Sequence, residues 1–224
     1  MAHDALLQAR PAPPRARGEP GLHRLEAGGR RDSYLYAPPG HDPSRPAPLV
    51  LLLHGAGGHA HHGLALLRHL ADEHGMILLA PASDASTWDV IVSRAYGPDV
   101  RLADKALGHA FAHYAVDPAR LAISGFSDGA SYALSLGLAN GDLFRHIIAF
   151  SPGFIAPVHA RGAPRVYISH GARDDILPIA PCSRRIVPRL RGAGYEVRYD
   201  EFEGGHVIPP EVARGAVEWL FGRG

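Results

Sequence analysis

Unbroken apolar runs separated by amphipathic stretches constrain this chain more than any other feature. The runs are PLVLLLHG, MILLAPAS, LAISG, HIIAFSPG and RVYISHG. None alternates polar with apolar, so each suits a parallel strand buried on both faces. Between the first two, HHGLALLRHLADEHG sets Leu64, Leu67, Leu70 and Ala71 on one helical stripe and closes at Gly75. PDVRLADKALGHAFAHYAVDP repeats the device, with Asp99 expected at the N-cap and Leu107, Phe111 and Tyr114 at helical spacing. PPEVARGAVEWLFG starts after paired prolines and gathers Val212, Ala213, Ala216, Val217 and Leu220 on one face. PCSRRIVPRLRGAGY carries Pro188 inside its apolar pattern and is expected to be short or kinked, ending near Gly194. Upstream, HRLEAGGRRDSYLYAPP reads as two short antiparallel edge strands with Tyr34 and Tyr36 on one face. Alternation of this kind predicts an α/β fold: a doubly wound, mostly parallel sheet with helices on both faces.

A chain of 224 residues is long enough for one full core, so a single domain over residues 21–224 is expected. Nine of its twenty prolines lie in the first 48 residues, and residues 1–20 are expected to form a flexible N-terminal arm. The formal net charge is +1, and the basic residues are scattered rather than set in a stripe, so nucleic acid is not an expected partner. The single cysteine, Cys182, excludes an internal disulfide framework. The first twenty residues lack the apolar core of about 7 to 15 residues used in export, which together with Cys182 implies a cytoplasmic setting. No run reaches the roughly 18 apolar residues of a spanning helix, so membrane insertion is not expected. A homodimer is left open.

The stretch LAISGFSDGAS places Ser127 between Gly125 and Gly129, after an apolar run and before an Ala- and Leu-rich helical pattern. A serine hydroxyl is a weak nucleophile unless it is presented in the open and touched by a base. A tight strand-to-helix turn presents it, and small residues on either side leave room for the backbone to double back. The base is expected from a histidine well beyond that helix: His159, His170 or His206. His206, in EFEGGHVIPP, sits on a Gly-rich loop after the last strand pattern, at the sheet edge where ligands bind, and is the candidate. His170 ends VYISH and is expected to shape the loop that follows. An acid must then hold the imidazole, and SHGARDDILP supplies Asp174 and Asp175, between which the residues alone do not choose. An oxyanion needs two backbone N–H donors. Asp128 provides one, and LLLHGAGG provides the other from Ala56 or Gly57.

Together LLLHGAGG, ISGFSDGAS, HGARDDILP and GGHVIP, in this order, resemble an α/β-hydrolase over roughly residues 30–221. The nearest likeness is to the phospholipase/carboxylesterase group of serine esterases, lysophospholipase-like and acyl-protein-thioesterase-like enzymes among them. That resemblance implies Ser127 as nucleophile, His206 as base, and Ala56 with Asp128 as oxyanion donors. It also selects Asp174, because in that family two residues separate the acid from a His-Gly and a proline stands four residues after it. Two features depart from the group. Asp128 replaces its usual Gln after the serine, and GAGGHAHH is closer to polyester-depolymerase-like and feruloyl-esterase-like hydrolases. The Asp128 carboxylate is expected to point outward along the helix dipole.

Several other residues carry weaker signals. His59, His61 and His62 form HAHH, but no carboxylate or cysteine stands beside them at ligand spacing, so neither a metal nor any other cofactor is expected. Cys182 lies outside any elbow and reads as structural. Trp88 and Tyr96, after the run ending near Pro81, are expected to line an acyl or alcohol pocket with Gly57, Phe126, Ile176 and Val207. About a dozen residues between the strands near 150 and 167 leave no room for a helical lid. The expected function is therefore hydrolysis of a small or short-to-medium carboxylic ester through an acyl-enzyme. Thioester, feruloyl-type ester or peptide hydrolysis, or a binding role on the same scaffold, are the alternatives.

Overall fold

Because both faces of the central strands are covered, their sequences need no polar side. In a computed structural model, which describes residues 5–223, the chain runs β1 (Gly21–Leu25), β2 (Ser33–Ala37), β3 (Ala47–Leu53), α1 (Ala60–Ala65), α2 (Arg68–His74), β4 (Ile77–Ala80), α3 (Asp89–Val92), α4 (Pro98–His113), β5 (Val116–Phe126), α5 (Asp128–Ala139), β6 (His146–Phe150), β7 (Arg165–Gly171), α6 (Ser183–Gly192), β8 (Val197–Phe202) and α7 (Pro210–Leu220). The strands form one eight-stranded sheet in the order β1, β2, β4, β3, β5, β6, β7, β8. β2 pairs antiparallel with β1 and β4, and every other pairing is parallel. The predicted doubly wound sheet is therefore present, with the antiparallel pair at one edge.

All seven residues of β3 are buried, and they alternate between two cores. Leu49, Leu51 and Leu53 pack on one face with Val100 and Leu107 of α4, Leu134 of α5 and Ile186 of α6. Val50 and Leu52 pack on the other with Leu64 of α1, Leu70 of α2, and Val212 and Ala216 of α7. At about 25 cal/mol per Å² of apolar area, this two-sided burial is the main force holding the layers together. It also fixes the register, which brings the ends of β3, β4, β5, β7 and β8 to one rim, where open α/β sheets place their ligands.

Three local readings differ from expectation, and one is met in its shorter form. The helix expected over His61–Gly75 is broken at Leu67, whose φ of −131° leaves the helical region while its side chain is fully buried. Asp99 does not cap α4. Gly97 stands at the N-cap with Pro98 next, and the Asp99 carboxylate instead accepts the N–H groups of Asp84 (2.8 Å) and Asp89 (2.7 Å). As expected, α6 is short: it carries Pro188 inside, runs ten residues and closes just before Gly194 turns the chain at φ 87°. The segment read as a flexible arm is seated over residues 5–9, because two apolar side chains find a core there. Ala5 and Leu7 are buried; the Leu7 N–H donates to Asn140 Oδ1 (2.8 Å) and Asn140 Nδ2 donates back to the Ala5 carbonyl (2.8 Å). Residues 1–4 of that arm, and Gly224 of the domain, lie outside the described residues. Residues 151–164, between β6 and β7, hold no helix, and among the described residues no helix is long and apolar enough to cross a membrane.

Candidate active site

Ser127 sits between β5 and α5 with φ 58° and ψ −120°, a conformation that costs a non-glycine residue on the order of 1–3 kcal/mol. The surroundings over-determine it. Its N–H donates to the Phe150 carbonyl (2.9 Å). A Cβ on Gly129 would lie 2.2 Å from the Leu53 carbonyl oxygen, and one on Gly125 would lie 2.3 Å from that of Gly129. The two glycines are thus required because β3, β5 and α5 touch backbone to backbone at the turn. Ser127 itself is 8% exposed.

The loops after β7 and β8 are joined in the same manner. A Cβ on Gly171 would lie 2.3 Å from the Gly205 carbonyl oxygen, and the Arg173 N–H donates to the Gly204 carbonyl (2.9 Å). This contact carries His206 to Asp174. His206 Nδ1 donates to Asp174 Oδ2 at 2.6 Å, and in the neutral ring Nε2 accepts from Ser127 Oγ at 2.9 Å. The Phe126 ring lies 4.6 Å, centroid to centroid, from that of His206.

Asp174 is buried, whereas Asp175 is exposed. Asp174 Oδ1 accepts the N–H groups of Ile176 (3.0 Å) and Leu177 (2.8 Å). Burial alone would raise its pKa, but hydrogen bonds from His206 and Leu177, with the charges of His206 and His170, outweigh this and hold it below the ordinary carboxylate value. His170 does shape the loop: Nε2 donates to the Leu177 carbonyl (2.7 Å) and lies 3.3 Å from Asp174 Oδ2, while Nδ1 accepts from Ser183 Oγ (2.7 Å). Burial lowers its pKa.

On the other side of Ser127, a Cβ on Gly55 would be 3.4 Å from the serine Cβ. Of the two donors left open there, Gly57 is committed, since its N–H binds the Ser86 carbonyl at 2.7 Å. Ala56 and Asp128 have no hydrogen-bond partner for their N–H groups among the described residues. The Asp128 carboxylate accepts the Thr87 hydroxyl at 2.6 Å. A hydroxyl with a hydrogen-bonded imidazole, an oriented carboxylate and two unpaired N–H groups nearby is chemically equipped for acyl transfer.

The expected pocket residues divide. Ile176 (65% exposed), Val207 (52%) and half-buried Phe126 flank the acid, the base and the serine in the chain, and Gly57 is exposed on the loop after β3. Trp88 faces the core rather than a cleft, and Tyr96 is half-buried against that core. Trp88 is fully buried, donates from Nε1 to the His54 carbonyl (2.9 Å) and stacks on Tyr132 at 5.0 Å; Tyr96 packs on the same core. Their aromatic surface is spent holding the base of the loops. His59 and His62 stack at 3.9 Å and His61 lies against Tyr34 at 4.3 Å. Among the described residues no three His, Cys, Asp or Glu side chains could hold a metal ion. Cys182 is buried, and burial, then the Asp174 charge, raise its thiol pKa.

Sequence reasoning passed over His54, Arg31 and Thr87. Buried His54 accepts the Ser83 N–H at Nε2 (3.0 Å), so Nδ1 donates to the Gly55 carbonyl (2.7 Å), and burial lowers its pKa to about 4. Arg31 donates to the carbonyls of Gly58 and Ala85. His54 could have been noticed as a polar residue closing a wholly apolar strand; nothing local marks Arg31 or Thr87.

Comparison with known proteins agrees with this architecture. The Esterase family model matches residues 26–162. The chain is 27% identical over 161 residues to Feruloyl esterase C of Emericella nidulans, a match that covers 66% of this chain and spans only 57% of that relative's length. The crystal structure of esterase PE8 aligns with a TM-score of 0.68 at 24% identity, over 90% of this chain and 99% of that one. The CE1 ferulic acid esterase AmCE1/Fae1A of Anaeromyces mucronatus, in complex with ferulic acid, aligns at 0.69 and 18%, over 97% and 98%. At these identities the structural likenesses speak for the fold alone, and that fold is the α/β-hydrolase fold. Since the family model spans more than half of the 224 residues, the protein belongs to the Esterase family.

Proposed function

We propose that the protein hydrolyses carboxylic esters through an acyl-enzyme on Ser127. The observation that carries this is the unbroken chain of contacts from Ser127 Oγ through His206 to Asp174, 2.9 Å and then 2.6 Å. In the first step His206 Nε2 takes the hydroxyl proton as Oγ bonds to the acyl carbon, and the carbonyl oxygen takes the negative charge toward the Ala56 and Asp128 N–H groups. The carbon–oxygen ester bond then breaks, and His206 returns its proton to the departing alcohol. Water, deprotonated by His206, attacks the acyl carbon and releases the acid with Ser127 restored. Asp174 holds the Nδ1–H tautomer and stabilises the imidazolium.

Exposed apolar side chains at Ile176 and Val207, beside Phe126, suit a small or short-to-medium apolar acyl or alcohol group. With p-nitrophenyl acetate and butyrate, the parent chain should turn over and Ser127→Ala should fall to the background rate. Equal rates in the two would end this reading. An aryl ester of the feruloyl type is a second reading, favoured by the Phe126 ring against His206 and by the name of the Emericella relative. Higher kcat/KM for methyl ferulate than for p-nitrophenyl butyrate would select it; a single-chain lysophospholipid in the same panel tests the lysophospholipase-like alternative.

A further inference from the structure

Asp128 poses a problem for the reaction just described. Its N–H is one of the oxyanion donors, yet its side chain carries a negative charge one residue from the nucleophile. A carboxylate free to swing toward the developing oxyanion would oppose it, because two like charges would then lie a few ångströms apart. The elbow conformation fixes the Asp128 backbone, so only side-chain contacts decide where the charge goes.

Those contacts come from one segment, residues 83–87, between β4 and α3. Thr87 Oγ1 donates to Asp128 Oδ2 at 2.6 Å, within the short range of charge-assisted bonds. The preceding residue takes the Gly57 N–H on its carbonyl, at Ser86 (2.7 Å), next to the other donor, Ala56. Ser83 supplies its N–H to His54 Nε2 (3.0 Å), and His54 in turn holds the Gly55 carbonyl (2.7 Å). Arg31 closes the far side, donating to the carbonyls of Ala85 (2.8 Å), Ser83 (3.3 Å) and Gly58. Trp88, fully buried, anchors the end of the segment through its bond to the His54 carbonyl. Ala85 and Ser86 are exposed, so the segment is a surface strap pinned at both ends, touching the Gly55–Gly58 loop and Asp128 at once.

We propose that residues 83–87 are the positioning strap of the oxyanion hole, and that Thr87 is a positioning residue which keeps the Asp128 carboxylate turned away from it. This rests on the acyl-enzyme reading above and adds to it a residue hydrogen-bonded to neither the nucleophile nor the base. Losing the Thr87 hydroxyl frees the carboxylate. The resulting charge acts on the transition state more than on the neutral ester, so kcat falls while KM holds.

The test is a double-mutant cycle on the full chain with p-nitrophenyl butyrate: parent, Thr87→Val, Thr87→Ser, Asp128→Asn, and Thr87→Val with Asp128→Asn. Thr87→Val should lower kcat at least about tenfold with KM within about twofold. Thr87→Ser, which keeps the donor, should stay within about threefold of the parent. Adding Asp128→Asn to Thr87→Val should raise kcat again, because the offending charge is gone; a purely structural role gives losses that multiply. Should Thr87→Val not fold, Thr87→Ala removes the same hydroxyl and takes its place. A Thr87→Val kcat within about twofold of the parent, or a double variant slower than Thr87→Val, overturns the strap. If those outcomes come with Ser127-dependent turnover in the parent, only this inference fails; a parent chain that hydrolyses no ester fails both.

Discussion

Asp174 and Asp175 are adjacent, chemically identical and separated only by where the backbone sends them. Asp174 is buried with both oxygens committed, whereas Asp175 is exposed. Asp174→Asn should therefore cost on the order of 10³–10⁴ in kcat, since the amide can hold His206 in the wrong tautomer, while Asp175→Asn stays within about twofold. Steady-state kinetics on both variants checks this, and comparable losses would count against the assignment. The residues alone did not separate this pair; the spacing to His-Gly and to Pro178 in a resembling family did. Between Ala56 and Gly57, too, the residues alone did not choose and the family resemblance did; the structure adds that the Gly57 N–H is taken by the Ser86 carbonyl, twenty-nine positions away and invisible to any local pattern.

Elements were legible in proportion to how far local chemistry determined them. β3 to β7 showed as apolar runs because both of their faces are covered, and Gly125 and Gly129 marked the elbow because no other residue fits where three backbones meet. The order of motifs along the chain also pointed to Ser127 and His206, and the family resemblance added Asp174, the third of the side chains that the structure brings together. What escaped was decided by tertiary contact. The break at Leu67 serves the packing of two helical turns on one sheet face, and its apolar pattern is the same broken or whole. Trp88 looked like a pocket wall because an aromatic side chain reads alike whether it faces a cleft or a core. Ala5 and Leu7 found a docking site at Asn140, the C-cap of α5, that the prolines following them gave no reason to expect.

Across the whole molecule, burial of histidines sets how stability responds to acid. Burial lowers the pKa of His54, and of His146 at the start of β6, from 6.5 to about 4 each, and lowers that of His170 as well. Between pH 6.5 and 4 the unfolded chain gains protons on these rings that the folded chain does not. Their contribution is thus present above 6.5 and lost as the pH falls. Asp99 works in the opposite sense: burial raises its pKa from 3.8 to about 6, so its contribution is present below 3.8 and lost as the pH rises through 6. Three rings outweigh one carboxyl, and the urea midpoint should drop from about pH 7.5 to about pH 4.5, with His146→Phe flattening the slope. A midpoint that is constant or rises over that interval would be incompatible with these buried neutral imidazoles.

The most direct measurement is intact-mass and peptide mapping of the folded chain after reaction with a fluorophosphonate, which traps an activated serine. A single phosphonyl adduct on Ser127, lost in Ser127→Ala and strongly slowed in His206→Ala, is the expected result. A folded chain that takes no label, or takes it on another residue with Ser127 unmodified, would contradict the convergence of Ser127, His206 and Asp174 into one reactive unit.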